Sequence, residues 1–296
     1  MRFKGGGVYW NTQEKGKFYE VNGEKKILGD DDYMRDVVHE HVVNFITEHR
    51  EEPFYVYYSM SHVHTEILRT PDCTSESKDL YADNVIYMDK LVGKLVAELE
   101  RLKLREKTLI VFFGDNGTAK GHADQAIIGG RRLAGQKGTM LEGGSLEPMI
   151  VNWPGMTPPN KISDDMIDSS DFFPTFAELA GAKLSENKII DGINIVPQLR
   201  DEKGNPRESI LIQLTNQWYV KEAGWKLNQA RELFEMSDAP FVEKLVDTDT
   251  KDPIAIAARI RLHFALDKLN PSGGILDIGD GTGRHANKTK KKNKIK

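Results

Sequence analysis

An α/β fold with a small antiparallel sheet near its C-terminus is what this sequence predicts, and three observations carry the prediction. Between residues 33 and about 200, stretches with apolar residues at helical spacing alternate with short runs rich in β-branched and aromatic residues. Beyond about Gly204 the texture changes to short segments separated by turn residues. The composition, 39% hydrophobic and 29% charged over 296 residues, is that of a globular chain able to bury one large core or two modest ones.

Met34, Val37, Val38, Val42, Phe45 and Ile46 recur at helical spacing and predict a helix ending near His49, with Asp30, Asp31 and Asp32 as its capping and first-turn acids. After Pro53, the run Phe54 to Tyr58 reads as a buried strand, and the polar stretch through Lys78 as a loop. From Tyr81 to about Leu104, Val85, Met88, Val92, Leu95, Val96 and Leu99 mark a long amphipathic helix, and Thr108 to Phe113 a strand. Strand, helix, strand in that order predicts a βαβ unit and a parallel sheet. A third buried strand, Pro148 to Trp153, is stopped by Pro154-Gly155, and a helix follows over Phe172 to Leu179 with Gly181 as C-cap. Ser209 to Leu214, Gln217 to Lys221 and Trp225 to Asn228 predict the small antiparallel sheet, and Pro253 to Leu269 a last helix. The expected organisation is a main domain over 1–204, a C-terminal subdomain over 205–272, and a disordered tail over 273–296 that ends in the lysine-rich run Lys288 to Lys296.

A net charge of -4 gives no global attraction to nucleic acid or to an anionic membrane surface. The longest apolar runs, such as Leu109 to Phe113, are far shorter than the roughly 20 residues of a membrane span. Met1 to Gly7 combines Arg2, Lys4 and three glycines with no apolar h-region, so no secretory signal is read there. The single cysteine, Cys73, excludes an internal disulfide framework and reads as an ordinary loop residue.

Three features stand where α/β enzymes place active sites, on loops leaving strand ends. In Gly114-Asp115-Asn116-Gly117 a carboxylate and an amide oxygen sit side by side after a strand, donors suited to a hard cation such as Ca²⁺ or Mg²⁺; the same tetrapeptide also reads as a plain Asn-Gly turn. In Ser61-His62-Val63-His64 a histidine could protonate a leaving oxygen, or both could be loop residues satisfied locally. In Gly135-Gln136-Lys137-Gly138-Thr139, followed by Glu142-Gly143-Gly144, a lysine between glycines offers a point charge for sulfate or phosphate, or else is a solvated turn lysine.

Together these runs resemble the arylsulfatases, the sulfatase family of the alkaline-phosphatase-like superfamily. The resemblance rests on Phe54 to His64, Thr108 to Gly117, Gly135 to Gly144 with Glu147-Pro148, and Trp153-Pro154-Gly155. Tyr87-Met88-Asp89, Val92-Gly93, Asp171 to Thr175, Leu179 to Gly181 and Asp191-Gly192 add to it, and it covers roughly residues 33 to 235. It implies an alkaline-phosphatase-like sheet flanked by helices, incomplete at its N-terminus. It further implies a sulfuric ester hydrolase in which Asp115 and Asn116 bind the divalent cation, usually Ca²⁺, Lys137 contacts the sulfate and His64 sits near the leaving oxygen. Such enzymes attack sulfur with a hydrated formylglycine made from a Cys/Ser-x-Pro-x-Arg motif, and they are usually exported. The implied partner is a sulfated small molecule or glycan.

No Cys-x-Pro-x-Arg or Ser-x-Pro-x-Arg stretch occurs in the chain, and the family's N-terminal Asp-Asp metal pair is missing; Asp30 to Asp32 could mimic it, but their place before a helix makes capping the better account. The expectation is a truncated sulfatase holding half of a metal site; a non-catalytic module for sulfated glycans is the alternative. A phosphatase or phosphodiesterase of the same superfamily would need extra His and Asp ligands near Gly135 to Gly144, which carries only Lys137 and Glu142. Other signals are set aside. Leu276 to Gly283 resembles a methyltransferase glycine loop without a domain after it, His39-Glu40-His41 reads as a solvated helix face, and Trp218, Trp225 and Phe234 read as packing residues.

Overall fold

The computed structural model describes residues 3–4 and 18–270; the Leu276 to Gly283 run and the lysine-rich tail lie outside them. The chain forms two compact units, one of residues 1–113 with 149–159, the other of residues 114–148 with 160–296.

The first unit opens with three strands the sequence reading did not single out, β1 (Phe3–Lys4), β2 (Phe18–Val21) and β3 (Glu24–Ile27), paired antiparallel. The signal for β2–β3 was present: Asn22-Gly23 takes φ values of 54° and 90°, the positive pair that a two-residue hairpin turn needs. Helix α1 (Met34–Glu48) then packs on helix α2 (Leu80–Arg101). Asp79 caps α2, its carboxylate accepting from the Tyr81 and Ala82 amides at 3.1 Å. The acids before α1 do not cap it. Tyr33 is the N-cap and its side chain makes no capping bond, and Asp32 turns back to accept from the Gly29 amide at 2.8 Å.

Strand β4 (Ile110–Phe113) follows α2. The run Phe54 to Tyr58, expected as a buried strand, pairs with no strand among the described residues. Its side chains still alternate. Phe54, Val56 and Tyr58 pack with Val42, Ile46 and Leu99 between the helices, while Tyr55 and Tyr57 are exposed. The expected parallel βαβ pairing is therefore absent among the described strands.

In the second unit, helix α3 (Lys120–Ala123) leads to the short hairpin of β5 (Ile127–Ile128) and β6 (Arg131–Arg132), and helix α4 (Glu142–Ser145) closes the glycine-rich loop. Strand β7 (Met149–Asn152) returns to the first unit and pairs with β4 antiparallel, Val111 opposite Val151. Helix α5 (Phe172–Leu179) ends where Gly181 takes φ 66°, one position past the Ala180 cap. Short α6 (Val196–Leu199) follows.

Next come β8 (Ile210–Leu214), β9 (Gln217–Glu222), β10 (Trp225–Asn228), β11 (Leu233–Glu235) and β12 (Lys244–Leu245). They form one antiparallel sheet in the order β12-β11-β10-β9-β8, the small sheet that the sequence predicts, with two further strands. Helix α7 (Pro253–Leu269) covers one face, burying Val220, Leu227 and Leu233 of the sheet against Ala255, Leu262 and Leu266. Trp218 and Trp225 pack on this core, as expected. Each fully buried leucine here contributes about 1.5–3 kcal/mol by leaving water.

Two motif residues after the glycine loop, Asp171 and Gly192, serve the scaffold. Asp171 is wholly buried and accepts from the Asp168 amide at 2.8 Å, the Ile193 amide at 2.7 Å and the Arg207 guanidinium. A Cβ on Gly192 would stand 2.0 Å from the Ser170 carbonyl, so only glycine fits beside this network.

Candidate oxyanion and cation site

Asp115 and Asn116 follow β4 directly, in a loop held by close backbone approach. The Gly114 amide donates to the Pro148 carbonyl at 3.1 Å and the Gly117 amide to the Gly144 carbonyl at 3.3 Å. A Cβ on Gly117 would stand 1.9 Å from the Gly143 carbonyl oxygen, which explains why a glycine follows the Asp-Asn pair. Asp115 is exposed and Asn116 half-buried.

The lysine loop is fastened to this strand end through the backbone. The Lys137 amide donates to the Thr118 carbonyl at 2.9 Å, and Gly143 donates to Ala134 at 2.7 Å. Thr139 tightens the turn between them, its hydroxyl accepting from the Gln136 amide at 3.0 Å and donating to the Gln136 carbonyl at 2.8 Å. The Lys137 side chain is exposed and has no ion pair or hydrogen bond among the described residues, the condition of a cation available to an anion. The loop borders a cavity of about 450 Å³ whose lining mixes polar Asp124, Arg132, Gln136 and Thr139 with apolar Leu133, Ala134 and Phe241.

Glu147 belongs to the Glu147-Pro148 motif, and the sequence alone points to no role for it. Its carboxylate lies against Gly114, where an added Cβ would be 2.6 Å from Oε2. Oε1 is buried without a hydrogen-bond partner among the described residues. Burial first, and the charge of Asp115 second, push its carboxyl up to about 7. An unsatisfied acid beside Asp115 and Asn116 is the donor chemistry of a hard cation such as Ca²⁺. The number of donors is small, however. Among the described residues no three His, Cys, Asp or Glu side chains are grouped to hold a metal, and Ca²⁺ takes six or more oxygens.

His64 belongs to the first unit, whereas Asp115, Asn116 and Lys137 share the second. Its amide donates to the Ser61 carbonyl at 3.2 Å, and its Nδ1 donates to the Thr65 carbonyl, which fixes the ring and its tautomer. His62, two residues earlier, is wholly buried with both ring nitrogens unpartnered among the described residues. Burial, then the positive charges of Arg35 and His39, lower its pKa to about 3, so it is a neutral core residue. Arg35 is also buried, donating to the Ser61 carbonyl at 3.0 Å, the Ser61 hydroxyl at 3.3 Å and the Tyr33 hydroxyl at 2.7 Å. His39 is buried against Tyr58 rather than solvated, which corrects the reading of the His39-Glu40-His41 face.

Comparison with known proteins places these loops in context. The family model described as Sulfatase matches residues 2–182. The steryl-sulfatase of Mus musculus is 32% identical over 196 residues, which are 62% of this chain and 31% of that protein. The N-acetylgalactosamine-6-O-sulfatase of Bacteroides thetaiotaomicron is 29% identical over 233 residues, 75% of this chain and 44% of that protein. The chain thus spans about a third to under half of the length of these curated relatives. Among solved structures, that of Ps i-CgsB is 26% identical with a TM-score of 0.72, covering 96% of this chain and 64% of that one. A structure of the same protein in complex with k-i-k-neocarrahexaose is 27% identical, with a TM-score of 0.65 over 86% of this chain and 58% of that one.

Proposed function

This chain belongs to the sulfatase family, and on that premise we propose that it serves the hydrolysis of sulfate esters through Asp115, Asn116, Lys137 and His64. The observation that carries the reading is the backbone link between the Lys137 amide and the Thr118 carbonyl, which ties an unpaired ammonium to a loop bearing two cation donors. Asp115 and Asn116 would hold a divalent cation, usually Ca²⁺ in this family, with the acidic Glu147 beside them. When bound, that cation draws negative charge off the sulfuryl oxygens.

The chain's own residues have separate tasks. Lys137 binds one sulfuryl oxygen and orients the ester. His64 donates through Nδ1 to the Thr65 carbonyl, which supports Nε2 as the nitrogen that would exchange a proton with the leaving oxygen. Asp124, Arg132, Gln136 and Thr139 give the cavity polar groups to meet the hydroxyls of a sulfated glycan, and Phe241 an apolar surface for its ring face, which favours a glycan over a sterol sulfate. None of the residues named here is a nucleophile, because the 296 residues contain no formylglycine motif.

That last fact supports a second reading, a module that binds sulfated glycans without turnover. Two assays separate them. Retention of the chain on an immobilised sulfated oligosaccharide at low salt, lost in Lys137→Ala, is expected under both, and no retention removes both. Turnover of a chromogenic aryl sulfate with Ca²⁺, by the chain with a separately supplied polypeptide bearing the formylglycine motif, is expected only of the hydrolase. Activity of the chain alone would mean that an unrecognised nucleophile lies within it.

A further inference from the structure

We infer that Lys226 is a positioning residue for the lysine loop: from the middle of the C-terminal sheet its buried ammonium fixes where Lys137 is presented. This rests on the reading of Lys137 as the sulfate contact.

Trp225 and Leu227 face the α7 core, so the strand pleat turns Lys226, which lies between them, to the opposite face of the sheet. Lys226 pairs directly with Lys221 of β9 in the antiparallel register. Two lysines opposite one another on one face repel and do nothing for the sheet itself. Burying an ammonium, here with a side chain only 4% exposed, adds a desolvation cost that an apolar residue would avoid.

What the two lysines hold accounts for them. Lys226 Nζ donates to the Met140 carbonyl at 2.5 Å and to Glu243 Oε2 at 2.6 Å, and it lies 4.3 Å from the centre of the Tyr219 ring. Lys221 Nζ donates to Glu142 Oε2 at 2.6 Å, and Glu142 is itself buried. The Tyr219 hydroxyl meets the Ser145 hydroxyl at 2.6 Å. One sheet face therefore grips the segment Met140 to Ser145 at three successive points. Lys226 holds the one nearest the loop: Met140 adjoins Thr139, Thr139 clamps Gln136, and the next amide, that of Lys137, bonds to Thr118 two residues from Asn116.

The test is hydrogen exchange on the whole chain, comparing wild type with the double variant Lys226→Met/Glu243→Leu. Removing both charges together spares the sheet an orphaned partner, so the fold is retained while the Met140 contact is lost. Exchange of the Lys137 and Gly143 amides is expected to speed up at least tenfold, with the Val220 and Leu227 amides unchanged. No change at Lys137 would overturn the inference. So would equal acceleration of sheet and loop, because Lys226 would then serve the sheet alone. Titration with inorganic sulfate is expected to show at least fivefold weaker binding to the double variant. If sulfate does not bind even the wild-type chain, the Lys137 reading fails, and the exchange rates still judge Lys226 on their own.

Discussion

Asp171 and Glu147 are two acids of the same unit in opposite circumstances. Asp171 is wholly buried, yet two backbone amides and the Arg207 guanidinium fill its oxygens. Glu147 is only partly buried, yet one of its oxygens is sealed from water with nothing bonded to it, beside the like charge of Asp115. The sequence makes both look alike, as acids inside family motifs. The difference teaches that a buried carboxylate whose oxygens are filled serves the scaffold, whereas an unsatisfied one is held near neutrality by burial and is free of any such structural task.

The sharpest way to break that distinction is to remove the scaffold acid. Asp171→Ala leaves the largely buried Arg207 without its counter-ion and strips the Ile193 amide of its acceptor. A loss of about 3–5 kcal/mol in urea unfolding is expected. A loss below about 1 kcal/mol would mean that the network is ornamental and the contrast with Glu147 empty.

The same contrast exists in the first unit between Arg35, each of whose three nitrogens donates a hydrogen bond, and His62, whose ring nitrogens have no partner among the described residues. The folded state holds His62 neutral down to about pH 3, while the unfolded chain takes up its proton near the ordinary histidine value. The unfolded state therefore binds more protons between those limits, and stability falls as pH drops through that window. Between about pH 7 and pH 4.5 the expected loss is about 2–3 kcal/mol. His62→Phe should flatten that slope, and an unchanged slope would assign it to other groups.

How much of this was legible follows the same line. Local periodicity gave α1, α5, α7 and the first three strands of the C-terminal sheet nearly to the residue, and α2 to within three, because helix faces and strand pleats are written at short range. The parallel pairing failed because register between distant strands is not. Phe54 to Tyr58 shows the alternation of a strand and still pairs with none among the described residues. Asp115, Asn116 and Lys137 stood out as candidates because glycines lie beside them; Gly117 is required by its close approach to the Gly143 carbonyl, and Gly135 and Gly138 by φ values of 88° and 85°. Glu147 and Lys226 could not be. An acid before a proline and a lysine in a strand carry no sign of burial until the opposing elements are in place.

Glu147 offers a smaller effect with the opposite pH sense. Its folded pKa is raised above the unfolded value, so its favourable contribution is present below about pH 4.5 and is lost as pH rises through 7. Because the carboxylate is only partly shielded from water, the gain expected for Glu147→Gln at about pH 8 is on the order of 1 kcal/mol. At about pH 4 the variant and wild type should be equal. A variant less stable at high pH would show that the ionised carboxylate is already satisfied.

The smallest expected effect on stability belongs to Lys137, and there smallness is informative. Its ammonium is exposed with no partner among the described residues, and its loop is held by its own amide and by Thr139 rather than by the side chain. Lys137→Ala should therefore change unfolding free energy by no more than about 0.5 kcal/mol. The same substitution removes the cation assigned to the sulfuryl oxygens, so calorimetric affinity for sulfate should fall at least tenfold. A residue kept for the fold would lose stability and leave sulfate affinity alone. A residue kept for a ligand shows the reverse, and only the second pattern agrees with a side chain that the fold does not use.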